Sequence, residues 1–135
     1  MGRVRRFRPG PVKRTYVRFV VGTNREAPKH QTGVITSLRL MKESGQLPVY
    51  EVEHVEEIFL WLNTHLPCPP FNGKKFPPEA ISWFKGSALG MISKFRELIA
   101  ILEQFDQPVR MLTTEQPGMI WYEDEFQIVA QSKFY

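Results

Sequence analysis

One cysteine, Cys68, occurs in 135 residues, so no disulfide can form within the chain and no multi-cysteine zinc site can be assembled. Long apolar runs are also missing. The longest, residues 58–62 and 98–102, are five residues each, against the roughly 20 that a bilayer-spanning helix needs. No membrane span is expected. An apolar stretch after Arg3 to Arg8 would suggest a secretory leader, but Pro9, Gly10 and Pro11 stand there instead, so a cytoplasmic location is expected. Glycine-rich phosphate loops are absent too: Gly86 and Gly90 fit neither nucleotide-binding spacing, and no expected strand leads into them. Around Ser87 the second glycine of a hydrolase elbow is lacking.

The last absence is the most informative: none of the fourteen acidic residues falls in the first eighteen positions. Seven of the eighteen cations do, namely Arg3, Arg5, Arg6, Arg8, Lys13, Arg14 and Arg18. The remaining residues carry eleven cations against fourteen acids, so the formal charge of +4 averages a basic leading segment and a mildly acidic body. Only Val4, Phe7 and Val12 are apolar before Arg14. Residues 1–14 therefore read as a flexible basic arm, and residues 15–135 as a single globular domain. With 42% hydrophobic residues spread along the body, one core is within reach, burying roughly 65 to 70% of the unfolded surface.

Residues 16–21 alternate as a strand, with Val17, Phe19 and Val21 on the expected core face and Tyr16, Arg18 and Val20 opposite. Val34, Ile35, Leu38 and Met41 then recur at helical spacing, with Thr32 as a cap and Gly45 as a stop. A second helix follows Pro48, with acidic first turns and a stripe of Val52, Val55, Phe59, Leu62 and Leu66. Five prolines make residues 67–78 a loop, and Pro78 opens a short helical turn through Phe84. The third main helix covers residues 87–105 on a stripe of Ile92, Phe95, Leu98, Ile99 and Leu102. Residues 109–114, 119–122 and 126–131 complete a meander, joined by a type II turn at Gln116 to Met119 and an acidic loop at Glu123 to Glu125. The expected fold is α+β, a single domain with a largely antiparallel sheet of about four strands (order β-α-α-α-β-β-β) and helices packed on one face.

Candidate sites are weighed against plainer structural roles. The Arg-rich arm can neutralise phosphates without a fold, or grip an acidic protein, or only solubilise the chain. Phe71, Lys74, Lys75, Phe76, Trp83 and Lys85, in and after the proline-rich loop, form a candidate partner-binding surface; alternatively its aromatics fold back as a lid on the core. His54, Glu57, Trp61 and His65 share one side of the second helix, but the two imidazoles lie about 16 Å apart along the axis, too far to share an ion. No metal, cofactor or catalytic residue is assigned. The outer sheet face, mixed in character, is a candidate homodimer seam.

The expected function is a small intracellular, non-enzymatic binding or accessory module that uses its basic arm to engage an anionic partner, nucleic acid or acidic protein. Two alternatives stand beside it. One is a hydrolase or transferase with a site assembled at the proline-rich loop from His54, His65 or Cys68; the other is a homo-oligomeric structural protein.

Overall fold

The computed structural model describes residues 14–22, 32–69, 76–77 and 79–132. Among them the chain forms one α+β domain with three helices and a six-stranded antiparallel sheet. The order is β1 (Tyr16–Val21), β2 (Thr32–Gly33), α1 (Val34–Glu43), α2 (Val49–His65), β3 (Ile81–Lys85), α3 (Leu89–Gln104), β4 (Val109–Thr114), β5 (Met119–Glu123) and β6 (Gln127–Gln131). The expected four strands become six. Thr32 belongs to β2 instead of capping α1, whose cap position is Gly33, and the expected helical turn before Phe84 is the strand β3.

Helix stripes follow the sequence pattern with a small rotation. On α2 the buried line is Glu51, Val55, Ile58 and Leu62, while Val52 and Phe59 are half-buried. Offsets of four, three and four put these residues on one face, and the carboxylate among them sits in the first turn, where the helix dipole favours it. The α3 line is Met91, Leu98, Ile101 and Leu102. Both pack with Leu38 and Met41 of α1 over Val17 and Phe19 of β1. Lys42 of α1 and Glu56 of α2 form an ion pair across the helix layer.

The C-terminus of α3 closes in a paired-carbonyl arrangement: Gln107 N donates to Leu102 O (2.9 Å) and Asp106 N to Glu103 O (3.2 Å). The residue that makes this turn is Asp106, held at φ 62°, a left-handed conformation in which a Cβ is unfavourable. Asp106→Gly is expected to raise stability by about 0.5 to 1 kcal/mol, read as an upward shift of the denaturant midpoint at constant m. A lower midpoint would show that the Asp106 side chain stabilises the turn by more than its backbone costs.

β1 is the hub of the sheet. Its whole length pairs with β4, from Tyr16 with Thr114 to Val21 with Val109. Its other edge is shared by two strands: β3 takes Tyr16 and Val17, and β2 takes Val20 and Val21. β6 continues from β3, and β5 is an edge strand carrying an irregularity between Ile120 and Tyr122.

The sheet is not single-sided. Tyr16, Ile128 and Ala130 form a second buried cluster with Trp83, and Val20 is fully buried. Because Phe84 is paired with both Val17 and Gln127, those three share the helix-facing side, which puts Ile128 on the opposite side beside Trp83. The face proposed as an open homodimer seam is closed at β1 and β6. No described helix is long and apolar enough to cross a membrane.

Candidate functional site

A cavity of about 470 Å³ opens where β1 and β3 part. Its cause lies in the ladder. Gly86 N donates to Thr15 O (2.8 Å), and Gly22 N donates to Pro108 O (2.7 Å), so along β1 the odd residues turn their main-chain groups toward β3 and β2 and the even residues toward β4. Pairing on the odd edge stops after Val17 with Phe84 and resumes at Val20 with Gly33. Between these pairs, among the described residues, neither β2 nor β3 is paired with Arg18 or Phe19.

At the fork, Arg18 takes the place of the missing ladder: its Nη1 donates to the Ser82 carbonyl at 3.3 Å. Burial disfavours the charged guanidinium and lowers its pKa, yet an arginine stays protonated at neutral pH. The wall opposite is aromatic, with Phe95 stacked on Phe19 (6.1 Å between centroids) and edge-on to Phe84 (4.8 Å). Leu66, Trp83 and Gln127 contribute, and Gly33 to Thr36 bring in the first turn of α1, which holds neither an acidic residue nor a side-chain cap. Among the described lining residues none is Asp or Glu, and one is a cation, Arg18, beside the α1 N-terminus and a largely apolar wall.

Gln127 is anchored behind this wall. Asp124 accepts hydrogen bonds from Tyr122 Oη (2.8 Å), Phe126 N (2.8 Å), Gln127 N (3.1 Å) and Gln127 Nε2 (3.0 Å), while Nε2 also donates to the Pro67 carbonyl beyond α2. Burial opposes the charge on Asp124, but these bonds outweigh it and hold its carboxyl below the ordinary aspartate value. The same contact holds the Tyr122 phenol above its ordinary value.

The structure distributes the residues singled out in the sequence unevenly. Arg18 and Trp83 meet at the cavity; Arg14 and Lys85 meet at Glu123, 3.5 and 2.6 Å from its carboxylate, the Lys85 side chain being 18% exposed. Lys85 is therefore a strand residue held by an ion pair, and Trp83 a wall residue of β3 instead of a loop residue. Phe76 is half-buried. Arg3, Arg5, Arg6, Arg8, Lys13, Phe71, Lys74 and Lys75 lie outside the described residues.

On the helix layer, His54 Nδ1 is 3.8 Å from Glu51 and Nε2 is 3.6 Å from Glu97, ion-pair range but not hydrogen-bond range. His65 is stacked on Trp61 (4.3 Å), and its Nδ1 is 2.8 Å from the Trp61 carbonyl, which makes that nitrogen the donor. Lys94 sits 5.4 Å from the Trp61 ring and 3.3 Å from Glu97. Cys68 is exposed, its thiol against the neighbouring Pro69 carbonyl. Among the described residues no cluster of three or more His, Cys, Asp or Glu could hold a metal ion.

Sequence reasoning missed the cavity because its walls come from β1, β3, α1, α3 and β6. The one available signal was the adjacent aromatic pair Trp83 and Phe84 after Ile81, residue types that favour strands. No family model matches the chain, and neither a curated protein nor a solved structure matches it.

Proposed function

We propose that this protein is a binding module that captures a phosphate-bearing polymer, nucleic acid, through its basic N-terminal segment. The observation that carries the reading is the separation of charge: seven cations and no acid in residues 1–18, against a body with an excess of three acids. Six of the seven are arginines, whose planar fork suits bidentate contact with phosphate oxygens better than an ammonium does.

The geometry narrows the set. Arg14 is already beside Glu123, and Arg18 is committed to the sheet through Ser82, so Arg3, Arg5, Arg6, Arg8 and Lys13 are the groups assigned to phosphate. If all five engage, log affinity should fall with log salt at a slope of roughly −4. Replacing the five by glutamine is expected to abolish salt-sensitive binding to a labelled DNA oligonucleotide, measured by anisotropy, and to leave the thermal unfolding midpoint where it was. Undiminished binding by that variant would overturn the reading. Pull-downs with and without nuclease separate the two anionic partners: a partner protein that survives nuclease and is lost with the five cations would replace nucleic acid by an acidic protein.

A further inference from the structure

Three successive large apolar side chains of β5 face solvent: Met119 is 57% exposed, Ile120 43% and Trp121 41%. Regular alternation would bury every second one, but the irregularity between Ile120 and Tyr122 breaks the period. Among the described residues β5 also ends the strand order, with β6 on one side. An apolar edge of this kind is adhesive. Acidic residues bracket it, with Glu115 before the strand and Glu123, Asp124 and Glu125 at its end; Glu115 and Glu125 are exposed. The occupant that fits is cationic, with apolar residues interspersed.

The chain carries such a segment next to this edge. Arg14 Nη1 is 3.5 Å from the Glu123 carboxylate, so residues 1–13 depart from the trailing end of β5. They hold Arg3, Arg5, Arg6, Arg8 and Lys13 around Val4, Phe7 and Val12, and no acid. Length suffices: from Arg14 back to Phe7 an extended chain reaches up to about 23 Å, and Glu123 to Met119 spans about 13 Å. So short a tether holds the segment at an effective concentration on the order of millimolar, which favours it over a partner free in solution.

We propose that β5 is the docking surface for this chain's own residues 3–13, with Phe7 and its flanking arginines on Ile120 and Trp121 and the outer cations against Glu115 and Glu125, so that the basic segment lies closed on the body until a polyanion displaces it. Arginine suits both parts of that surface, because its guanidinium stacks on an indole as readily as it pairs with a carboxylate. Only the displacement rests on the polymer reading; the docking follows from β5 and the position of Arg14. Closure and polymer binding use the same cations, so the two compete.

The test uses the full chain carrying Cys68→Ser and a nitroxide attached through Gly2→Cys, read as paramagnetic broadening in a ¹H–¹⁵N correlation spectrum. At low salt, broadening is expected at Ile120, Trp121 and Glu125, and it should be lost in Trp121→Ala and in the variant with glutamine at the five N-terminal cations. Should Trp121→Ala lower the thermal midpoint, Glu125→Lys, at an exposed position, is expected to remove the broadening in its place. Tagged unlabelled chain mixed with untagged ¹⁵N-labelled chain should show none; broadening there would hand the surface to a second copy and overturn the assignment. Addition of a DNA oligonucleotide should abolish the broadening, and Trp121→Ala, which changes no charge, should bind that oligonucleotide about threefold more tightly because closure no longer competes. Weaker binding by Trp121→Ala would make β5 part of the polymer site, and broadening that none of the variants diminishes would report the tether alone; either result overturns the assignment. Broadening that behaves as expected in a chain that binds no DNA would support the docking and sink the polymer reading.

Discussion

Gly118→Ala is expected to destabilise the protein by roughly 3 to 5 kcal/mol and to lower the thermal midpoint by on the order of 10 °C. Two effects combine at this position. Its φ of 100° is a conformation that side-chain-bearing residues rarely adopt, and a Cβ built there would fall 2.0 Å from the Gln131 carbonyl oxygen and 2.8 Å from the Ser132 Cα. Main chain cannot swing aside as a flexible side chain can. The clash falls where Met119 pairs with Gln131, so relief requires the end of the β5–β6 ladder to open. Gly22 supplies the control: its φ is 95°, but among the described residues nothing lies within 4 Å of an added Cβ. Gly22→Ala should show the conformational cost alone, about 1 to 2 kcal/mol. Equal losses at the two positions in chemical denaturation would show that the steric term is relieved without opening the ladder.

Removing the Asp124 carboxylate is the second large effect, with a loss of roughly 2 to 4 kcal/mol expected for Asp124→Ala. Four donors converge on this side chain, and two of them are main-chain N–H groups in the tight turn between β5 and β6. Freed of Asp124, the Gln127 amide would keep only its bond to the Pro67 carbonyl after α2, and the turn would lose its side-chain link to that bond. Acid should act in the same direction. The folded-state pKa of Asp124 is depressed, so its contribution is complete above the ordinary aspartate value and disappears as pH falls through the lower folded value. The stability gap between the natural chain and Asp124→Ala is therefore expected to be constant near neutrality and to narrow only below about pH 4. Denaturant titrations at stepped pH measure it; a gap that widens with acid would contradict the network.

The two ends of the legibility scale are α2 and β3. Helix α2 announces itself through apolar residues at three- and four-residue spacing, an acidic first turn and a proline before it, all of which act within the helix. Even so, the pattern misjudged the buried line by a fraction of a turn, because Glu51 and Ile58 face the core where Val52 and Phe59 were expected. That rotation is set by where α3 and β1 present their own side chains. In sequence, strand β3 reads as a helical turn because Pro78 suits the first position of a helix. What makes residues 81–85 a strand is pairing with Val129, Ile128 and Gln127, more than forty residues later, and with Tyr16 and Val17, more than sixty residues earlier.

The candidate sites divide along the same line. Charge separation needs no structure to be seen, since it is a count along the chain. Arg18 illustrates the opposite case: in sequence it is the last cation of a basic segment, and in the fold it is a half-buried group that replaces a hydrogen bond between two diverging strands. Lys85 likewise changes from a loop cation to one arm of a buried-edge ion pair with Glu123.

By itself the sequence determined the α+β class, the three main helices, the first strand, the β5–β6 hairpin and the segregation of cations at one end, because each is written in spacing, punctuation or charge within a short stretch; the expected meander fails at β4, which pairs with β1 and not with β5. Tertiary structure alone decided that β2 and β3 share one edge of β1, that the sheet is buried on both sides at β1 and β6, and that a cavity opens beside Phe19. These depend on which distant residues come to lie opposite one another. A strand's hydrogen bonds are satisfied only by such partners, so their register, and the gap where it fails, exist only once the chain has closed on itself.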